Sequence, residues 1–202
     1  MKPTKISRDE KQIQTRNQLI EAGFHLISEQ GYSAVSIRNL SKQAGYTQGA
    51  FYSNFEHKED FLLTLMKIQF EQENLQLQKI ITQTHLTQSD LMTALEQWLI
   101  DFFQNDEWLK ISIELQLYAA RDEIFSNEYQ QVWQNHQAQV SEVLQQLIPN
   151  FSAAESTQHE HKLLEIISLS YGLALQYMIF KDDVHKYVNI MMQQLTQIMP
   201  AR

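Results

Sequence analysis

The chain has no cysteine among its 202 residues, which removes disulfide scaffolds, thiolate nucleophiles and thiolate metal sites together. Proline is nearly as scarce, standing only at Pro3, Pro149 and Pro200, and four of the five glycines lie at or before Gly49. Between Ala50 and Tyr171 there is one proline and no glycine in a stretch rich in Leu, Gln, Glu and Ala, a composition that implies long helices. A long hydrophobic run is also missing. The most extended uncharged apolar-rich stretch, residues 166–180, contains Ser168, Ser170, Gly172 and Gln176. It falls short of the roughly 20 residues a bilayer requires and reads as a buried helix of a soluble protein. The polar opening MKPTKISRDEK has no apolar segment behind it, so the expectation is a cytoplasmic protein without a signal peptide or membrane association.

Positive charge is sparse overall, with a net charge of −8, but it is unevenly placed. Residues 1–58 hold eight Lys or Arg against five acids, giving +3, and the remaining residues carry −11. Such asymmetry implies two functional parts, the first able to approach a polyanion. Lys2, Lys5, Arg8 and Lys11 make the N-terminus a candidate arm for phosphate or minor-groove contacts, or a solvated end.

Within the basic segment, Leu19, Ile20, Gly23, Phe24, Leu26 and Ile27 recur at helical spacing and predict a first helix ending near Gln30, with Gly31 as the left-handed residue after it. Ser36 is placed as an N-cap, with Val35 before it and Leu40 at the fourth helical position forming a hydrophobic staple. The second helix then runs from about Ile37 to Ala44, where Gly45 stops it. The same grammar restarts at once: Thr47 caps, Tyr46 precedes it, and Phe51 completes a second staple. Two short helices so joined make a helix-turn-helix.

Residues 44–55, AGYTQGAFYSNF, would carry its recognition helix. Gly49 falls in the first turn, where glycine costs about 1 kcal/mol relative to alanine, and close approach to another surface would compensate. Backbone amides and the helix dipole there suit phosphate oxygens, Thr47 and Tyr52 offer hydroxyls, and Gln48 can pair with base edges. By helical phase Phe51 and Phe55 should bury against Phe24, Leu40 and Leu62, with Tyr52 turned outward.

The stretch SIRNLSKQAGYTQGAFYSNFEHKEDFLLTLM resembles the signature of the TetR/AcrR transcriptional repressors. It shows a Ser/Thr-led second helix, an Ala-Gly turn, a Gly-x-hydrophobic-Tyr-x-x-Phe recognition helix and a Lys-Glu pair opening the fourth helix. The resemblance implies that Thr47, Tyr52 and Lys58 hold phosphates, that Gln48, Arg38 and Tyr46 read bases, that Ser36 adds a backbone contact, and that Gly49 lets the helix sit close to DNA. His57, where the family often has Ser or Asn, leaves the start of helix four open.

The acidic remainder is less explicit. WLKISIELQLY alternates apolar and polar residues as a strand would, but its helical neighbours and the stripe Trp108, Ile111, Leu115, Tyr118 favour a buried helix. Trp98, Phe102, Glu114, Tyr118, Trp133 and His136 mix rings with polar groups, which describes either a packed core or a small-molecule pocket. After a polar connection over residues 149–159, two last helices are expected over about 162–180 and 184–199. Their apolar residues Ile166, Leu169, Leu173, Tyr177, Val188, Met191, Met192 and Leu195 fit a core, while the family resemblance implies an intersubunit bundle. His159, His161 and Glu165, or Asp182, Asp183 and His185, lack recognisable metal-site spacing, so no metal and no cofactor are implied.

These readings converge on an all-α protein, with a helix-turn-helix domain over residues 1–58 and a helical-bundle effector-binding and dimerisation domain over residues 59–202. The expected partners are double-stranded DNA, a second copy of the chain and a small-molecule effector. The function implied is a homodimeric repressor released from a palindromic operator by that effector. No nucleophile-base pair, phosphate loop or paired carboxylate argues for an enzyme. The alternative is a helical adaptor that holds another protein on its apolar faces, whose binding would respond little to salt.

Overall fold

The computed structural model describes residues 7–83, 87–147 and 156–198, apart from the side chains of residues 156–159 and 198. All regular structure among them is helical. The order is α1 (Arg8–Gln30), a single 3-10 turn (Tyr32–Ala34), α2 (Ile37–Gln43), α3 (Gln48–Tyr52), α4 (Lys58–Ile81), α5 (Gln88–Gln104), α6 (Asp106–Ala119), α7 (Glu123–Leu147), α8 (Ser156–Phe180) and α9 (Val184–Ile198). The strand-like alternation around Ile111 is thus helical, and Trp108, Ile111 and Leu115 are buried while Leu117 is exposed.

The helices form two compact units, one from Met1–Ile68 and Lys110–Tyr129, the other from Gln69–Leu109 and Gln130–Arg202. The expected division after residue 58 falls inside the first unit, because the start of α4, most of α6 and the start of α7 group with α1–α3. The polar connection expected over residues 149–159 is shorter than anticipated. Helix α8 is already formed at Ser156, and residues 148–155 lie outside the described part.

In the first unit, α1 begins with a capping box. The Ser7 amide donates to the Glu10 carboxylate at 2.7 Å and the Glu10 amide donates to Ser7 Oγ at 3.1 Å. Arg8 and Lys11 therefore lie in the first turn of α1 and are not part of an extended arm, while Lys2 and Lys5 are outside the described residues. Leu19, Ile20, Leu26 and Ile27 bury one face of α1, whereas Phe24, assigned to the same core, is half-buried. Gly23 is needed for a close approach: a Cβ there would stand 2.3 Å from Cζ of Phe61 on α4. That ring cannot easily retreat, since Phe51 and Phe55 pack against it at centroid distances of 5.6 and 4.9 Å.

In the second unit, α5 packs on α8 and α9, and α8 on α9. Burial of Leu95, Leu99, Ile166, Ile167, Ala174, Val188, Met191 and Leu195 forms its core. Lys181 ends α8 in the left-handed region at φ 52°, its amide donating to the Tyr177 carbonyl at 2.8 Å and its ammonium paired with Asp106. Helix α8 differs from the buried helix expected of it. Residues Glu160–Phe180 are long and apolar enough to cross a membrane by length and composition, and only 17% of its most apolar window is buried within the chain.

Candidate nucleic-acid interface

The two short helices begin as their capping residues dictate. Ser36 Oγ accepts the Asn39 amide at 3.1 Å, and Thr47 Oγ1 accepts the Ala50 amide at 3.3 Å. Val35 and Leu40 are both buried, as the staple requires. Gly45 sits at φ 76° just past α2, and the Tyr46 amide returns to the Ser41 carbonyl at 2.8 Å, which reverses the chain into α3. Phe51 and Phe55 are sealed in the core with rings 5.2 Å apart, and Tyr52 projects outward, 57% exposed.

This anchoring leaves Thr47, Gln48, Gly49 and Tyr52 on the solvent side of α3, together with Ser36 and Arg38 at the start of α2. The capping hydroxyls accept through oxygen, so each retains its O–H as a donor for a phosphate. With five residues α3 has little macrodipole, so its free amides rather than a helix field are what it offers an anion. A Cβ on Gly49 would meet only Thr47 Oγ1 at 3.7 Å, so the fold itself does not demand glycine there.

Two of the expected contact residues are engaged within the protein. Tyr46 is half-buried and its hydroxyl donates to Gln18 on α1. Lys58 opens α4 and donates from Nζ to the Tyr32 carbonyl at 2.8 Å, with the ammonium 3.9 Å from the Tyr32 ring centroid. Burial lowers the Lys58 pKa, against the opposing charge of Glu59. Two further N–H donors of that ammonium remain.

Arg16 was not anticipated. Its guanidinium donates to the Asn54 carbonyl at 2.7 Å and to Thr64 Oγ1 at 3.4 Å, and lies 4.3 Å from the Phe55 ring centroid. It ties the end of α3 to α1 and α4. A polar residue less than one turn before the apolar stripe of α1 gave no sequence signal of this.

The expected effector residues divide. Trp98, Phe102 and His136 line an apolar cavity of about 90 Å³ in the second unit, with Leu77, Leu99, Val143 and Tyr171. Trp133 does not line it but packs its ring against His136 and Tyr171, at 5.7 and 5.6 Å. Glu114 and Tyr118 belong to the first unit. Glu114 accepts the Tyr32 amide at 3.4 Å, and the Tyr118 hydroxyl donates to Glu59 at 3.2 Å. They miss the cavity because α6 carries them beside Gly31 and Tyr32.

The expected dimer residues also divide. Ile166, Val188, Met191 and Leu195 are buried within the single chain, three of them lining the cavity, so they are core. Leu169, Leu173, Tyr177 and Met192 are partly exposed. The outward face of these helices instead shows Leu164, Ile179 and Phe180, 55, 61 and 65% exposed, with Ile190.

Among the described residues no group of three His, Asp or Glu side chains converges on a point. Glu165 accepts from Gln194 at 2.8 Å and Asp182 pairs with Lys186 at 2.9 Å, while the His159 side chain lies outside the described residues.

Paired short helices, the second capped by threonine and displaying polar side chains, define the helix-turn-helix class of protein. Residues 19–65 match the family model for bacterial regulatory proteins of the tetR family. It is 43% identical over 53 residues to the HTH-type transcriptional regulator YwcC of Bacillus subtilis, covering 26% of this chain and 24% of that protein. With the HTH-type transcriptional regulator CymR of Pseudomonas putida it shares 29% identity over 126 residues, 60% of this chain and 59% of that one. The chain therefore aligns with about a quarter of YwcC and under two thirds of CymR. The fold matches the fatty acid degradation regulator FadR of Bacillus halodurans with a TM-score of 0.70 at 17% identity, over 90% of this chain and 94% of that one.

Proposed function

We propose that the chain is a homodimeric DNA-binding repressor, cytoplasmic, without catalytic activity, and released from a palindromic operator by a small molecule held in the second unit. The observation that carries this reading is the exposed set Thr47, Gln48, Gly49 and Tyr52 on a helix whose other face is locked by Phe51. Thr47, Tyr52, Ser36 and Lys58 serve the phosphates, and Gln48 and Arg38 reach base edges, where the Gln48 amide matches adenine N6 and N7. Tyr46 acts from its hydrogen bond to Gln18 as a brace for the turn.

One such helix binds weakly, and a two-fold dimer would set two of them about 34–36 Å apart in successive major grooves. The surface proposed for that dimer is the face of α8 and α9 bearing Leu164, Ile179, Phe180 and Ile190, with Leu169, Leu173, Tyr177 and Met192 at its margin. Gly172 has open space around it and permits close helix approach. Effector binding then favours a dimer geometry whose recognition helices no longer match the half-site spacing.

Selection of bound duplexes from a random-sequence pool at near-physiological salt tests the DNA reading. Enrichment of a palindrome is the expected result, and no enrichment by a folded dimer would overturn it. Sedimentation of Ile179→Glu tests the interface: the expected result is a folded monomer, and a dimer unchanged in strength would move the interface elsewhere.

A further inference from the structure

The cavity of the second unit is apolar except for a few polar groups, and three of these carry buried acceptor atoms. Glu73 is 7% exposed, lines the cavity, and has one described partner, Gln69, whose Nε2 donates to Oε1 at 2.9 Å. Asn74 Oδ1 is sealed from solvent with no hydrogen-bond partner. His136, 6% exposed, stacks on Phe70 at 3.8 Å and leaves Nδ1 buried and unpartnered. Burial lowers the His136 pKa to about 4, so the ring is neutral and its free nitrogen can accept.

Three acceptors therefore border one apolar space, and an unsatisfied buried acceptor costs about 1–3 kcal/mol. A ligand that brings N–H donors recovers that cost, whereas a carboxylate would add acceptors beside a carboxyl. Glu73 also borders a second, polar void of about 140 Å³, which shares Trp98 and Phe102 with the cavity and adds Asp101 and Asn105. The stacked rings of Trp98 and Phe102, 5.6 Å apart, stand where the two voids meet. Among the charged side chains lining either void, Glu73 and Asp101 are both acidic and none is basic.

We propose that the cavity binds an aliphatic primary amine in its protonated form, the ammonium seated against Glu73 and Asn74 and the hydrocarbon lying among Leu77, Leu99 and Val143. This rests on the reading of the cavity as the effector site. Burial raises the Glu73 pKa to about 7, so an arriving cation draws its carboxyl into the ionised form and supplies the missing partner. The N–H donors of an ammonium answer the acceptors of Glu73 and Asn74, and the apolar walls exclude strongly hydrated alternatives.

Hexylamine, hexanol and hexanoate share one body and differ in the head, so calorimetric titration of the full chain with each reads the head alone. Hexylamine should bind at least about tenfold more tightly than either of the others. Glu73→Gln, which keeps the shape, should lose about tenfold for hexylamine and leave hexanol unchanged. Equal binding of amine and alcohol, tighter binding of hexanoate, or an unchanged Glu73→Gln would each overturn the amine assignment. Those results leave the cavity standing as a ligand site; no binding of any of the three to the folded protein would overturn the site together with its ligand. Because binding is measured without DNA, the outcome does not depend on whether the ligand releases an operator.

Discussion

Two polar clusters, one in each unit, are built in opposite ways. Around Tyr32 the groups satisfy one another: Tyr32 and Tyr118 both donate to Glu59 at 3.2 Å, Lys58 caps the Tyr32 carbonyl, and Glu114 receives the Tyr32 amide. The rings of Tyr32 and Tyr118 lie 4.7 Å apart above them. Around Glu73 the groups are more deeply buried and less satisfied, with Asn74 Oδ1 and His136 Nδ1 lacking partners. A closed network fixes a shape, which suits the unit that must present α3 at a constant angle. An open one costs stability until something enters, which suits the effector site proposed for the second unit.

The sharpest way to break this contrast is to neutralise Glu73. Its pKa rises from 4.5 in the unfolded chain to about 7 in the fold, because burial disfavours the carboxylate. The folded state thus holds the proton more tightly, and stability falls as pH rises from 4.5 to 7. Relative to wild type, Glu73→Gln should be similar below pH 4.5 and gain about 3 kcal/mol by pH 8, read from urea unfolding at several pH values. His136 acts in the other direction. Its folded value of about 4 lies below the ordinary 6.5, so its contribution is present above 6.5 and lost as pH falls towards 4. That residue is common to both proteins and drops out of their difference. A difference that does not vary with pH would show that Glu73 is not held in a carboxylate-excluding site.

Removing Glu59 attacks the closed cluster. Glu59→Ala takes away the acceptor shared by two tyrosine hydroxyls and should cost about 2 kcal/mol in urea unfolding. A cost below about 0.5 kcal/mol would mean that the tyrosines find other partners, and the cluster would not be the brace described.

The clusters also differ in how far they could be read from sequence. The turn between α2 and α3 is written in adjacent residues: Ser36 and Thr47 cap, Gly45 takes a positive φ, and Phe51 and Phe55 share a face. Each signal acts within a turn or two of chain, so the helix starts and the outward direction of Tyr52 were legible. The cavity joins α4, α5, α7, α8 and α9, and no local pattern tells which faces of five helices meet. That is why the sequence groups Glu114 and Tyr118 with Trp98 and His136, and why it leaves Ile166, Met191 and Leu195 open between a core and an intersubunit bundle. One signal was present and unused. Met66, Phe70, Glu73 and Leu77 form a helical stripe in which a lone carboxylate interrupts apolar residues, and all four are buried.

The smallest expected change separates folding from binding at Gly49. Unlike Gly31 and Gly45, it has no positive φ, and unlike Gly23 it has no packed ring against it. A methyl group there meets open surface, so Gly49→Ala should raise stability by up to about 1 kcal/mol through helix propensity alone. On DNA the same methyl would stand between the first turn of α3 and the groove it enters, and affinity for the selected palindrome should fall in both protomers together. The two readouts therefore move in opposite directions for one substitution. If stability rises and affinity holds, α3 does not approach the bases as closely as Gly49 permits, and the contact surface shifts towards Arg38 and the start of α2.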